Sequence, residues 1–512
     1  MSMEEFLSAP WKNSHSAYHE SFLNIRPAPE FATAEVVIAS LYRASGFSGH
    51  AEAQVSKAGK DLEHQMILHR AKQDDSTEIS QDTWRTVLRG VLESPKRPMQ
   101  SSMRFLSLSP LVPDVALYSG SARTKGSSWN PGELIKKMIQ LGAPSDQAAE
   151  ELWKRLHGAL SVVDSDDIWA HWVQKEFERR RPRGEQLKES MLWKESTLGA
   201  AGGIPKAEKV TLRYPARQFV RDLGAIIDVK QSMTRRQWVS LLESVTRLAA
   251  VTHVLWLCGV NERMWRAVES IVGRGEGAFP LSEEELRNDI VTGKDSIFSY
   301  GNTATFTIKN YASRYMRARL GLNLVLWTLQ KEGENISALQ SSGDLLKFLK
   351  TAQAKKNALV SGGILEKFYS IQDEETRAIN CKAGIGSNLV DFGTYTLGQR
   401  QTANEALRGY DQGYFLRKQS EAKNASWVFS MGPVAILAMV HSCLKDGNGP
   451  RSVKRLSDHL SWYGIEIGVE DINQSDLGRN LRMLGLVLDS PDAESGMLLL
   501  PPFTRSQLQV SH

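Results

Sequence analysis

Apolar positions recur at helical spacing along most of this chain. Val37 and Leu41 are four apart, as are Ile38 and Tyr42, so a helix beginning near Ala34 carries one apolar stripe. Further helices are expected at 57–73 and at 81–94, the latter burying Trp84, Val87, Leu88 and Val91. Residues 1–30, with Pro10, Pro27 and Pro29, read as irregular, and the proline- and serine-rich stretch 95–130 reads mostly as loop. Three helices follow. Asn130 caps one that opens on Pro131, and Ser145 caps a second with Ala148, Ala149, Leu152, Trp153 and Leu156 on one side. Asp166 or Asp167 opens the third, whose apolar face is expected to begin at Ile168 and Trp169 and run through Trp172, Val173 and Phe177. That helix ends in Arg179, Arg180 and Arg181, followed by Pro182, which suits a helix C-terminus and its stop.

Gly199, Gly202, Gly203 and Pro205 mark a linker and a domain boundary. Beyond it the clearest helix runs from about Met233 to Cys258, and a second long one from about Thr307 to Gln330. Leu248–Val260 is the longest apolar stretch. It is broken by Thr252 and His253, is too short to span a bilayer, and reads as a buried helix end. Residues 361–425, rich in Gly, Asn and Gln, show no clear periodicity.

From Gly432 the order of signals changes. Val434–Leu444 is an apolar helix, residues 445–450 form a turn, and Ser452 caps a helix that places Val453, Leu456 and Leu460 inside. Gly464 breaks it, and Ile465–Asn473 is a connection. Ser475–Leu484 is a third helix with Leu477, Leu481 and Leu484 inward, Gly485 its C-cap, and Leu486–Leu488 and Met497–Leu500 a pair of strands. Two helices, a recognition-type helix and a two-stranded wing resemble the winged-helix superfamily over residues 432–503. The fold expected is mainly α: an N-terminal helical domain (1–200), a central helical domain with basic segments (205–425) and a winged-helix domain (426–505) able to fold by itself.

Charge complicates what that resemblance implies. Winged helices commonly place the third helix in the DNA major groove. Here Arg479, Asn480 and Arg482 would stand on that helix, with Lys454 and Arg455 on the one before. Yet residues 432–503 hold six Lys or Arg against nine Asp or Glu, a poor balance for gripping phosphates. DNA and protein docking remain equally open for this module. Cations concentrate elsewhere. Residues 206–236 hold eight Lys or Arg, Arg235 and Arg236 among them, against three acids. Residues 303–331 hold five and no acid, including Arg314, Arg317 and Arg319 beside Tyr311 and Tyr315, so that this helix could track a nucleic-acid backbone. Over the whole 512 residues the formal charge is only +5.

Nothing in the sequence carries a catalytic signature. No GxxxxGK[ST] loop occurs, Gly384 and Gly386 lack a third glycine, and Asp391–Gly393 matches a kinase triplet without its companions. His64 and His69 have the wrong spacing for a shared ligand face, and Asp164, Asp166 and Asp167 suit a helix cap better than a cation. Cys258, Cys381 and Cys443 are isolated, which fits a reducing cytoplasm, and the N-terminus lacks a leader pattern. The expectation is a non-catalytic protein without metal or cofactor and without membrane contact. It would be a DNA-associated or scaffolding subunit of a bacterial multi-protein system, similar in plan to accessory subunits of anti-phage defence, with other subunits and double-stranded DNA as partners. A stand-alone transcription regulator and a divergent nuclease are the alternatives.

Overall fold

The computed structural model describes residues 2–25, 34–48, 109–118, 131–179, 188–189, 191, 193, 214–273, 279–280, 282–292, 296–399, 411–420, 422, 424–445, 449–489 and 496–503. The helices expected at 57–73 and 81–94 lie outside them, as do His64, His69 and Arg180–Arg183.

The chain is mainly helical. Helix α1 (Ala34–Ser45) buries Val37, Ile38, Leu41 and Tyr42, the stripe its spacing predicts. It packs on α2 (Pro131–Gly142), and α3 (Asp146–Leu160) follows with Ser145 as its cap, the hydroxyl accepting from Ala148 N at 3.1 Å. Helix α4 (Ile168–Arg179) begins where expected, because Asp167 Oδ1 accepts from the Trp169 and Ala170 amides. Its apolar face is not the expected one. Ile168 is 78% and Trp169 52% exposed, while Ala170 and Val173 are buried. The reason is local: α4 packs on the short helix Pro113–Tyr118 across the side bearing Gln174, whose Nε2 donates to the buried Asp114 at 2.5 Å. That contact turns the first turn of α4 outward.

Helix α5 (Pro215–Asp228) packs on α2, across the boundary expected near residue 205. Two long helices form the centre. Helix α6 (Arg235–Ile271) opens on a capping box in which Thr234 and Gln237 bond each other's backbone amides, and its 37 residues span about 55 Å. Leu248–Val260 is the middle of this helix, not its end. The whole stretch is buried because α1, α2, α5 and the second long helix, α7 (Ala304–Lys331), surround it. This is the one helix of the described residues long and apolar enough to cross a membrane, and its apolar window is buried in the protein. Gly321 of α7 leaves room for the Trp265 ring of α6: a Cβ there would lie 2.3 Å from it. The N-terminal segment, which holds short helices at Met3–Ser8 and Ser16–His19, straps onto both, with Tyr18 OH donating to Asn261 at 2.7 Å and Asn323 accepting from His15 N at 2.7 Å. The unreadable stretch after 361 forms α8 (Ile364–Glu374) and α9 (Gly384–Thr396), both against α7, so the kinase-like triplet at Asp391 is plain helix.

Strands are short. Phe47–Ser48 (β1) pairs with Lys188–Glu189 (β2), and Leu416–Lys418 forms a hairpin with Trp427–Phe429. In the C-terminal region, α10 (Pro433–Cys443) leads to a strand at Arg451–Ser452, then α11 (Lys454–Ser461), a short helix at Val469–Gln474, and α12 (Asp476–Met483). Gly485, at φ +66°, ends α12 and turns the chain into strand Val487–Asp489, which returns as Met497–Leu499. The returning strand is central in a three-stranded antiparallel sheet, flanked by 451–452 and 487–489. Ser452 therefore sits in a strand as well as bonding Lys454 N at 3.3 Å, and the pair of strands expected from sequence has a third member.

This region is stitched to the body. Strand Ile465–Glu466, expected as a bare connection, pairs in parallel with Phe298–Ser299. Helix α10 is apolar on all sides and packs on both α5 and α6 as well as on α11. The buried Asp222 of α5 accepts from His459 Nε2 at 3.0 Å and from Tyr463 OH at 2.6 Å, both from the α11 segment. One apolar cluster runs from Phe6 to Leu499.

Candidate functional site

The outer face of the C-terminal module is built on α12. Leu477 and Leu481 are fully buried, which points Arg479, Arg482 and Met483 at solvent and leaves Asn480 half-buried. Neither arginine is electrostatically open. Arg479 pairs with Asp476 one turn back, and Asp476 also takes Arg417 from the Leu416–Lys418 strand. Arg482 pairs with Asp489 on the adjacent strand at 3.2 Å and bonds Asn473. Beside them Met483 is 80% and Leu488 49% exposed. On α11 Lys454 is exposed, whereas Arg455 turns inward and its Nε donates to the Cys443 carbonyl at 2.5 Å, satisfying the end of α10.

The three arginines expected to line α7 as a basic face part company. Arg314 pairs with Glu262 of α6 at 3.1 Å and bonds Asn310 at 3.1 Å. Arg317 is exposed and, among the described residues, makes no ion pair. Arg319 is buried: its guanidinium donates to the Pro10 and Asn13 carbonyls at 2.7 and 3.1 Å, so it holds the N-terminal strap and is withdrawn from any phosphate. Helical geometry explains the division, since residues five apart project about 140° apart around the axis. Phe306, 70% exposed, and Lys309 share the outward side with Arg317.

Arg235 is a second correction. It is 2% exposed and donates to the carbonyls of Leu111, Ser161 and Leu160, to Tyr42 OH and to Asp166 at 3.0 Å. Lys230 joins the same carboxylate at 3.1 Å. Burial alone would raise the Asp166 carboxyl, but the Arg235 and Lys230 charges and the Val163 amide hold it below its ordinary value. Two cations of the basic segment 206–236 are thereby spent inside the fold. Arg236 alone of the adjacent pair reaches solvent, at the rim of a cleft of about 520 Å³ between α1, α6 and α10. Beneath that cleft lies Arg247, which meets Asp411 at 2.8 and 2.9 Å and Glu243 at 3.2 Å, all three buried.

Among the described residues, no group of three His, Cys, Asp or Glu could hold a metal ion. Burial pushes the Cys381 and Cys443 thiols up to about 11 and about 12, away from the thiolate. The His459–Asp222 pair has Gln218, not a nucleophile, at its other ring nitrogen, 3.3 Å away. Sequence reasoning missed Asp476, Asp489 and Glu262, the partners of three candidate arginines. For Asp476 and Asp489 the available signal was the acidic balance of residues 432–503, which counts such carboxylates without locating them; Glu262 lies outside that range. No family model matches this chain, and neither does any curated protein or solved structure.

Proposed function

We propose that this chain is a non-catalytic subunit of a bacterial multi-protein system, a helical scaffold that presents a C-terminal winged helix for docking to a partner protein. The winged-helix reading is supported by the order helix, strand, helix, strand, helix, helix, strand, strand from Pro433 to Leu499, in which the Ile465–Glu466 strand pairs with the body and the last strand is central in the module's own three-stranded sheet. The docking reading rests on one observation. Arg479 and Arg482, the cations of the recognition-type helix, are matched to carboxylates, while Met483 and Leu488 next to them face water. A module that gripped DNA by charge would have to break both pairs first. The exposed cations Arg236, Lys309, Arg317 and Lys454 are spread over three helices, with only Lys309 and Arg317 on a common face, which supports at most a weak, salt-sensitive contact with DNA.

Anisotropy with duplex DNA at several salt concentrations, paired with co-purification from the native host, tests this. The double variant Met483→Ser/Leu488→Ser should lose its co-purifying partner and keep whatever DNA affinity the chain has. Arg479→Ala/Arg482→Ala should leave the log–log salt slope unchanged. A slope reduced by about 1.8 in that variant would mean that both arginines touch phosphate and would overturn the docking reading.

A further inference from the structure

A cavity of about 300 Å³ opens at the seam where the C-terminal module meets the body. Tyr214, Trp256, Tyr311 and Trp462 wall it. Two of these rings are fixed from behind: Tyr214 OH donates to Leu141 O at 2.9 Å, and Trp256 Nε1 to Val291 O at 2.8 Å. They stack on each other at 5.7 Å. Trp462 is fixed differently, with the guanidiniums of Arg217 and Arg221 at 5.0 and 5.9 Å from its ring. A third guanidinium, Arg263, lines the cavity itself, anchored through Nε to the Ile290 carbonyl at 2.7 Å. Gly259 makes room for it: a Cβ there would lie 2.9 Å from Arg263 Nη1 and 3.5 Å from the Tyr311 ring. The Thr292 hydroxyl, on the cavity wall, is buried and has no hydrogen-bond partner among the described residues. Glu466, also on the wall, accepts from Ser296 at 3.0 Å.

These features select a ligand class. A purely apolar ligand would leave Thr292 unsatisfied. A cation would meet the Arg263 guanidinium on the wall, with those of Arg217 and Arg221 held at the Trp462 ring. A bare inorganic anion would make no use of four rings. A planar heteroaromatic carrying an anionic group uses all of them, with the base against the rings, the anion toward Arg263, and Thr292 and Glu466 as polar partners for the base edge. We infer that this seam cavity binds a nucleotide, either free or as the unstacked end of a strand. The inference is independent of the docking role of α12.

Titration of the full chain with the four ribonucleoside monophosphates and with short single-stranded oligonucleotides tests it, read by tryptophan fluorescence and calorimetry. Nucleosides and inorganic phosphate serve as controls. At least one mononucleotide or oligonucleotide should quench saturably. Binding should weaken about ten-fold in Arg263→Gln, the loss of one charge-assisted contact. It should vanish in Ser461→Trp, which fills the cavity from an exposed rim position and is checked for fold by circular dichroism. A mononucleotide that binds as tightly as the oligonucleotide identifies the free nucleotide as ligand, and tighter oligonucleotide binding identifies the strand end. Absence of saturable binding by either, undiminished binding in folded Ser461→Trp, or binding of phosphate alone with no dependence on the base overturns the inference.

Discussion

In the helical body Arg235, Arg247 and Arg319 point inward to carboxylates and carbonyls, whereas in the C-terminal module Arg479 and Arg482 lie on the surface and pair with Asp476 and Asp489. Both regions match their cations internally, but at different depth. A buried guanidinium is expensive to desolvate and ruinous to remove, because its partners stay behind as unpaired buried charges. A surface pair is screened and contributes little. The same residue type therefore carries structure in one region and is available to be re-partnered in the other. In the body, fold stability fixes the arginines; in the module, a partner with its own carboxylates or phosphates could compete for them.

Substitution should separate the regions, beginning with the deepest pair. Arg247→Ala takes the buried guanidinium away from Asp411 and Glu243 and should cost about 4 kcal/mol in urea unfolding. Arg247→Met should cost nearly as much, since charge rather than volume is lost. A cost below about 1 kcal/mol for either would erase the contrast.

Within the module the core should matter and the arginines should not. Leu481, fully buried, should cost about 3 kcal/mol as Leu481→Ala. A loss of only some tenths would mean that the inward face of α12 is wrong. Because α10 is buried against α5 and α6 as well as within the module, the fragment 425–503 should show poorer amide dispersion alone than the same residues in the full chain.

A third test reverses the sign. His253 of α6 is fully buried against Trp256 at 5.3 Å, and neither ring nitrogen has a partner among the described residues. Burial, assisted by the Lys137 charge, lowers its pKa to about 3. The folded state thus keeps the ring neutral while the unfolded chain protonates it below the ordinary histidine value of 6.5. Stability from this group is complete above that value and is lost as pH falls toward 3. Between pH 8 and pH 5 the loss should be about 2 kcal/mol. His253→Phe should remove that part of the acid limb and stabilise the neutral protein by about 1 kcal/mol, having no buried N–H to leave unsatisfied. An unchanged pH profile would show that the ring finds a partner.

The smallest effect is expected at Arg479, whose side chain is 72% exposed. Arg479→Ala should change stability by less than about 0.5 kcal/mol. A larger loss would make the α12 surface as structural as the body.

Legibility followed the periodicity. The stripe of α3, the caps at Ser145 and Asp167, and Leu477 and Leu481 of α12 were readable because α3 and α12 each have one wet and one dry side, whereas α1, whose stripe was also read, is buried almost all round. The C-terminal end of α6 was not readable, because the helix is buried on every side through Leu248–Val260 and has no phase to read there, so that stretch looked like a terminus. The face of α4 was misjudged because Ile168 and Trp169 are apolar but are turned out by a contact between Gln174 and Asp114, sixty residues apart. The seam cavity was invisible, since Tyr214, Trp256, Tyr311 and Trp462 come from four separated segments.

By itself the sequence determined that this protein is mainly helical, where many of its helices begin, and three helices and the last two strands after Gly432 but not the strands at 451–452 and 465–466, because caps, turns and apolar spacing act between residues a few positions apart. Only the tertiary structure decided which arginines are buried, which are matched and which remain exposed. A guanidinium's role depends on the carboxylate or carbonyl that packing brings to it, and for Arg235, Arg247 and Arg319 those partners lie from about seventy to three hundred positions away.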